Sequence, residues 1–490
     1  MIFVIENFMK KLLLILLLVC ESTLFSQTIL NSYPISMRNS GGYSQILNVE
    51  NTKTHDVFAF IADDKNLAIL QYNKALFLTN ELRTSRSNIE DKLIIGYSFD
   101  EDGNPTLYWS SEDFKSIVLI KYDMSNKAIK PLKFSFPYSK EYFIATFQKN
   151  NVFYLLSKDS AEQTLTLYKF KDDTVEEKPL DFSSFTFQNR NTQPISFNQF
   201  IRDYPIEKIE VGDYNPLSRS IKKSKAYMLD NRLVLTFDQN PAKTQIFDVN
   251  LQTYEIKEKN FPQSMAEKSR RINNSFFLDD RLYQINTNSE ELQLDIKDYN
   301  TGETIKNIKV SKNDTIKFKN SPLLLQVEDQ KPKEIRKTST FLKYLSALDI
   351  GISTFKNRQN TYVTIGGIPK EARAYYSFYD DLQPFEINLL QFGQNQTVYF
   401  ESILDPKFEF IQQRQEPFAS DNIYYFLETN KKIRLQNTLP LDDFSILGYY
   451  DSAAKQFIMR KFMDGFIPDE VTNPLIDKAV FSKSFKFDRP

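Results

Sequence analysis

The chain has 490 residues, 62 Lys and Arg against 63 Asp and Glu, and a formal net charge of -1, so no charge excess draws it to nucleic acid or to an anionic membrane. A single histidine, His55, and a single cysteine, Cys20, exclude a two-histidine zinc site, a thiolate metal cluster and an internal disulfide framework. The 42 Phe and 26 Tyr suit a β-rich core, whereas only 12 Gly stand where hairpin proteins use this residue freely, so Asn and Asp are expected to take the turn positions.

The chain opens on a targeting signal. Met9, Lys10 and Lys11 form a basic start, residues 12–19 an apolar core, and Leu24, Phe25 and Ser26 a cleavage site, so the mature protein is expected to begin near Gln27. The apolar core is shorter than the ~20 residues that span a bilayer, and no later stretch reaches that length, so no transmembrane segment is expected after signal removal. A lipoprotein signal anchored on Cys20 is the weaker alternative, because bulky Val19 fits poorly before the cut. The product is expected in the periplasm or outside the cell.

Five copies of a degenerate unit follow. Short apolar strands at residues 56–60, 104–108, 151–155, 231–235 and 280–284 each precede a second strand ending in an aromatic: Tyr72, Tyr122, Phe170, Phe247 and Tyr299. The first anchors are spaced by 48, 47, 80 and 49 residues. A period of 40 to 50 residues with several strands per unit is that of propeller blades, and the expected fold is all-β, a β-propeller of seven blades, with six or eight open. A shorter array followed by a separate C-terminal β-rich domain is the alternative. The long interval places an insertion or an additional degenerate unit at residues 183–225; the preferred reading is an insertion, expected to project from one face and carry binding.

A helix is expected from Ser264 to Ile272, where Ser264 and Glu267 make a capping box. Beyond residue 311 the repeat fades, although residues 320–325, 350–355, 361–365 and 397–402 have strand character. A hairpin of residues 445–451 and 456–462 forms the last blade, which ends the propeller, residues 27–463, and leaves 464–490 as a loosely held tail. The aligned units, their aromatic strand ends and the export signal resemble secreted β-propeller proteins of Gram-negative bacteria. The resemblance is one of periodicity and carries over no site residues.

Candidates for chemistry are few. His55 beside Asp56 reads as a strand-start residue, which removes most hydrolase and metalloenzyme classes. Paired acids at Asp63–Asp64, Asp172–Asp173, Asp279–Asp280, Asp380–Asp381 and Asp442–Asp443 read as turn formers, since neighbours on one strand face opposite ways and cannot serve together as acid and base. Asp100, Asp102 and Asn104 alternate like a calcium loop, but Gly103 and Pro105 occupy the wrong places, so a hairpin turn is expected. Arg219, Lys222, Lys223 and Lys225 are expected on a solvated face. Trp109 and the doublets Tyr375–Tyr376, Tyr424–Tyr425 and Tyr449–Tyr450 are the aromatic candidates for sugar stacking, with one ring of each doublet inward if the segment is a strand. No metal or cofactor is expected and no catalytic residue is assigned. The expected role is that of a monomeric, non-catalytic binding or scaffolding protein, with an envelope protein or glycan as partner and no nucleic acid. A carboxylate-dependent glycan-active enzyme is the alternative.

Overall fold

The computed structural model describes residues 27–37, 43–111, 114, 116–134, 141–171, 174–264, 272–327, 330–369, 396–414 and 416–465. Among these, seven sheets of four or five strands succeed one another along the chain, with one two-stranded ribbon between the third and fourth. This is the architecture of a β-propeller. The chain divides into two compact units, one holding blades 1, 2 and 7 and the other blades 3 to 6.

The repeat seen in the sequence is the middle of each blade. In blade 1, Val57–Ala62 pairs antiparallel with Asn66–Tyr72, and the same two strands recur as Pro105–Ser110 with Ile117–Asp123, Val152–Asp159 with Thr164–Lys171, Arg232–Phe237 with Lys243–Asn250, and Arg281–Thr287 with Glu291–Asp298. These strands are apolar on both faces because sheets cover them from both sides: Val57–Ala62 and Pro105–Ser110 are buried along their whole length. The fourth strands, such as Leu78–Ser85 and Thr304–Ser311, are largely exposed, and their polar alternation matches that position. The strand-end aromatics Tyr72, Tyr122, Phe170, Phe247 and Tyr299 are all 0–1% exposed.

The scarcity of glycine has a local explanation. At five hairpins an Asx side chain caps the turn and the residue four positions on takes the left-handed conformation: Asn51 and His55, Asp123 and Lys127, Asn250 and Tyr254, Asp298 and Gly302, Asp451 and Lys455. In the fourth blade, Asn250 Oδ1 accepts from the amides of Gln252 at 2.8 Å and Thr253 at 2.9 Å, and the Tyr254 amide donates to the Asn250 carbonyl at 2.8 Å. Asn and Asp therefore hold the start of these turns, as expected, but the left-handed place itself goes to whatever residue follows.

Blade 7 joins the two ends of the repeat. Gln27–Pro34 is its outer strand, antiparallel to Gln456–Phe462 of the expected terminal hairpin. Blade 6 departs from the repeat. Its strands Asp349–Asn357, Asn360–Ile368 and Gln396–Leu404 are completed by Leu324–Val327, which lies upstream of all three in sequence. This reversal, together with the 27 residues between the second and third strands, is why the period fades after residue 311.

The insertion does not project. Ser196 caps helix α1 (Phe197–Asp203) by accepting from the Gln199 amide at 3.2 Å, and the helix buries Phe197, Phe200 and Ile201. Phe200 lies 4.7 Å from Phe237 and Phe187 5.6 Å from Phe247, so the segment packs into the aromatic core of blade 4. Helix α2 (Leu217–Ser220) follows Pro216, and Leu217 is fully buried beside Gly351 and Gly366 of blade 6. Ile206–Ile209 adds a parallel strand to Ser224–Met228. The expected helix at 264–272 falls on residues 265–271, outside the described residues, and Ile272 begins a strand instead. Two further helices, α3 (Thr338–Leu345) and α4 (Ala419–Thr429), precede Asp349–Asn357 of blade 6 and Gln436–Pro440 of blade 7.

Candidate functional site

The second unit holds a pocket of about 320 Å³, built from the loop at residues 210–215, the turns before Arg232 and Arg281, and Thr354 and Phe355 of blade 6. Its floor is aromatic: Tyr227, Phe276 and Phe277 are 1–2% exposed. The Tyr227 ring meets Phe276 edge-on at 5.6 Å and Phe277 at 5.7 Å, and its hydroxyl accepts from the Phe277 amide at 3.2 Å. Burial raises the Tyr227 phenol well above the usual range, so it stays neutral. Thr354, 1% exposed, lines the same pocket with a hydroxyl that has no partner among the described residues.

Five carboxylates rim this floor: Glu210, Asp213, Asp230, Asp279 and Asp280. Four are in ion pairs. Glu210 meets Lys208 at 2.7 Å, Asp230 meets Lys149 at 3.0 Å, Asp279 meets Lys356 at 2.8 Å, and Asp280 meets Arg232. Asp213 makes no ion pair among the described residues; its Oδ1 accepts from the Tyr214 amide at 2.7 Å. The Lys149 hydrogen bond and charge hold Asp230 below the usual carboxylate range. Burial alone would lower the Arg232 guanidinium, but Asp280 and Asp248 hold it above its ordinary value.

The frame is rigid for local reasons. Asp279 and Asp280, at φ 48° and 54°, form a two-residue hairpin turn between the paired residues Leu278 and Arg281. Gly212, at φ 87°, turns the 210–215 loop. Buried Asn215 clamps that loop, accepting from the Glu210 amide at 2.9 Å and donating to the Glu210 and Asp213 carbonyls at 2.8 and 3.0 Å. Arg232 spans Asp280 and Asp248 while lying 5.3 Å over the Tyr299 ring. Burial raises the Asp213 carboxyl above the usual range, and a carboxylate rim over apolar lining that Val211, Leu229, Leu278 and Phe355 leave partly exposed suits a cation on an apolar stem.

Of the residues singled out in the sequence, only Asp279 and Asp280 reach this pocket. Asp63 caps its own turn, accepting from the Lys65 and Asn66 amides at 2.8 and 2.7 Å, and Asp442 and Asp443 are exposed in a turn. Asp172, Asp173, Asp380, Asp381, Tyr375, Tyr376 and Cys20 lie outside the described residues. His55, half exposed in its left-handed turn, pairs with Glu50 at 2.7 Å. Residues 100–104 form the expected hairpin turn, with the Asn104 amide donating to Asp100 Oδ1 at 2.8 Å and Lys121 on the other carboxylate oxygen at 2.9 Å.

The basic and aromatic candidates need correction. The basic cluster is not one solvated face: Lys225 is fully buried, 3.2 Å from Asp238 and 2.6 Å from Asn274 Oδ1, and Lys223 donates to the Asn273 carbonyl, leaving Arg219 exposed. These lysines occupy the start of a first strand between packed sheets, where a long stem carries the ammonium to buried acceptors. Tyr424 and Tyr425 lie on helix α4, so they do not alternate across a strand. Tyr449 and Tyr450 do sit on a strand and on opposite faces, but both are buried, at 5% and 8%, because both faces of that strand are covered. Trp109 is fully buried and offers no stacking surface.

No family model matches the sequence, and no curated protein matches it. Among solved structures, the chain is similar to the β-propeller domain of the Trilobed protease from Pyrococcus furiosus, at 11% identity over 87% of this chain and 100% of that one, with a TM-score of 0.30. It is also similar to the WD40 domain of SCAP from fission yeast, at 9% identity over 88% and 87% of the two chains and a TM-score of 0.28. The Dos1 propeller gives 9% identity over 88% and 83%, with a TM-score of 0.27. Likenesses at these scores carry no functional argument. The protein's class rests on its own sheets: it is a β-propeller.

Proposed function

We propose that this chain is an exported, non-catalytic binding protein of the periplasm or cell surface, and that it holds a cationic side chain of an envelope protein in the acid-rimmed pocket. The observation that carries this reading is the rim of Glu210, Asp213, Asp230, Asp279 and Asp280 around an apolar lining seated on buried Tyr227, Phe276 and Phe277. A lysine or arginine stem would lie along Val211, Leu229, Leu278 and Phe355, the apolar lining that keeps exposed surface, and its charge would meet Asp213, the rim carboxylate without an ion pair among the described residues. A volume of about 320 Å³ accommodates one long side chain and part of its backbone. Export is supported by the basic and apolar N-terminus, with the outer strand of blade 7 starting at Gln27.

Glycan cleavage would need one carboxyl kept protonated opposite a second that is ionised. Burial raises Asp213 and the Lys149 pair lowers Asp230, but Asp230, Asp279 and Asp280 are each engaged by a basic side chain of the protein, and this supports binding over acid-base chemistry. The test is calorimetric titration of the purified chain with acetyl-Phe-Lys-Phe-amide and its norleucine counterpart. Saturable binding of the lysine peptide that weakens with salt, and falls at least tenfold in Asp213→Asn, is expected. Equal binding of the two peptides, or release of reducing sugar from an insoluble polysaccharide, would overturn the reading.

A further inference from the structure

A second cleft, of about 450 Å³, lies between helix α1 and the first strand of blade 3, Glu141–Lys149, and shares no lining residue with the acid-rimmed pocket. Its walls are mostly apolar, from Tyr142, Phe143, Ile144, Ile201, Pro205 and Ile206. Ile144 is the extra residue of a β-bulge, the register slipping between Phe143 and Ala145, and bulges re-aim side chains beside sites. Tyr142 is 45% exposed, an unusual position for a large ring in this chain.

Two polar groups on α1 have no partner among the described residues. Arg202 is exposed and makes no ion pair or hydrogen bond among the described residues. Asn198, one helical turn earlier and on the same side of the helix, has a buried Oδ1 with no donor among the described residues, while its Nδ2 donates to the Ala161 carbonyl at 3.0 Å. An amide oxygen buried without a donor is a standing cost that an incoming N–H would remove.

The other charges lining the cleft are already committed. Lys158, 1% exposed, donates to the Asp159 and Glu162 carbonyls and lies 5.5 Å over the Phe197 ring. Asp159 Oδ1 accepts from the amides of Ala161 at 2.7 Å and Glu162 at 2.9 Å. Two cations against one anion around apolar walls favour a monoanion over a phosphate dianion, and a free guanidinium fits a planar carboxylate in a fork.

We propose that this cleft binds an N-acylated hydrophobic amino acid, with the carboxylate on Arg202, the N–H on Asn198 Oδ1 and the side chain against Ile144, Ile201 and Ile206. The same chemistry occurs in a free acyl amino acid and at the C-terminus of a peptide chain. Calorimetric titration of the purified chain with N-acetylphenylalanine, its C-terminal amide and an octapeptide ending in Phe separates these sources. The free acid is expected to bind saturably, the amide at least tenfold more weakly, and Arg202→Gln to lose at least tenfold toward the acid, while Arg434→Gln, at an exposed arginine that lines neither pocket, leaves it unchanged. Tighter binding of the octapeptide identifies a chain end as the natural ligand; binding of the small acid alone identifies a free metabolite. Equal binding of acid and amide, no saturable heat at millimolar ligand, or an unaltered affinity in Arg202→Gln overturns the proposal.

Discussion

The guanidinium of Arg86 lies 4.8 Å over the ring of Trp109, and both side chains are 0–1% exposed. Arg86 follows the last strand of blade 1 and donates to the carbonyls of Tyr43 at 3.0 Å and Ile89 at 3.1 Å, and to those of Asp63 and Lys92. One side chain thereby satisfies four carbonyls where blade 1 hands over to blade 2. Lysine presents a single point of charge and cannot reach all four. Arg86→Lys is expected to cost about 2–4 kcal/mol, since buried carbonyls lose charged donors. Trp109 is the sole tryptophan, so urea unfolding followed by its fluorescence reads the change directly. A midpoint within error of the parent would refute the clamp.

Lys455 sits at φ 52° four residues after Asp451, whose Oδ1 accepts from the amides of Ala453 and Ala454 at 2.9 and 3.0 Å. A side chain in the left-handed region costs about 1–2 kcal/mol, of which glycine recovers part after its own entropy is counted. Lys455→Gly is expected to stabilise by about 0.5–1 kcal/mol, and Asp451→Ala to destabilise by about 1 kcal/mol. Both positions are at the surface of a hairpin, so thermal melts compare them without disturbing the core. Opposite signs would show that Lys455 has a packing role that its exposure does not suggest.

Much of the architecture was legible because period and chemistry coincide. The two anchors of each repeat are its two buried middle strands, and burial on both faces is what made them apolar enough to align. The insertion was located but misjudged, because Phe187, Phe197 and Phe200 were scattered among turn residues and only the packed structure shows them converging on Phe237 and Phe247. The acid-rimmed pocket left a trace that spacing alone could have shown. Asp230 and Arg232 in one repeat correspond to Asp279 and Arg281 in the next, and each arginine reaches an aspartate at the end of the following strand, Asp248 at 3.0 Å and Asp298 at 2.7 Å. Glu210 and Asp213 had no such counterpart, since their loop belongs to the insertion. Arg202 and Asn198 were likewise silent, because helix α1 carries too few turns for a periodic signal.

Gly366 marks how tightly that insertion is wedged. A Cβ there would clash with the Val398 carbonyl and come within 2.6 Å of Leu217, a buried residue of α2. The strand is hydrogen-bonded through this point, with Gly366 opposite Gly351 on one side and Tyr399 on the other, so the backbone cannot step aside. Gly366→Ala is expected to destabilise by about 2–3 kcal/mol by overpacking. Adding Leu217→Ala should not restore stability, because the carbonyl clash remains and a cavity is added. Full rescue by that second change, measured as a urea midpoint, would mean that the helix contact alone excludes a side chain.

Stability should also depend on alkaline pH through Lys223. Its stem is half-buried and its ammonium sits on the Asn273 carbonyl; burial pushes the amine down to about 8, with Asp238 opposing the shift and Lys225 adding to it. In the unfolded chain the same amine stays protonated to about pH 10.4. Between these values the unfolded state binds more protons, so stability rises with pH, by about 1–2 kcal/mol once partial exposure is allowed for. Lys158, Lys225 and Lys297, also lowered by burial, act in the same sense. Tyr72, Tyr97 and Tyr122 act in the other: burial raises their phenols, so above about pH 10 the unfolded chain loses protons first and stability falls. Urea midpoints are expected to climb from pH 8 to a maximum between about 9 and 10 and then decline. Lys223→Met should raise the midpoint at pH 7 and shrink the climb while leaving the decline in place. A parent curve that is flat from pH 8 to 9.5, or a variant that climbs as steeply as the parent, would show that Lys223 stays charged in the folded protein.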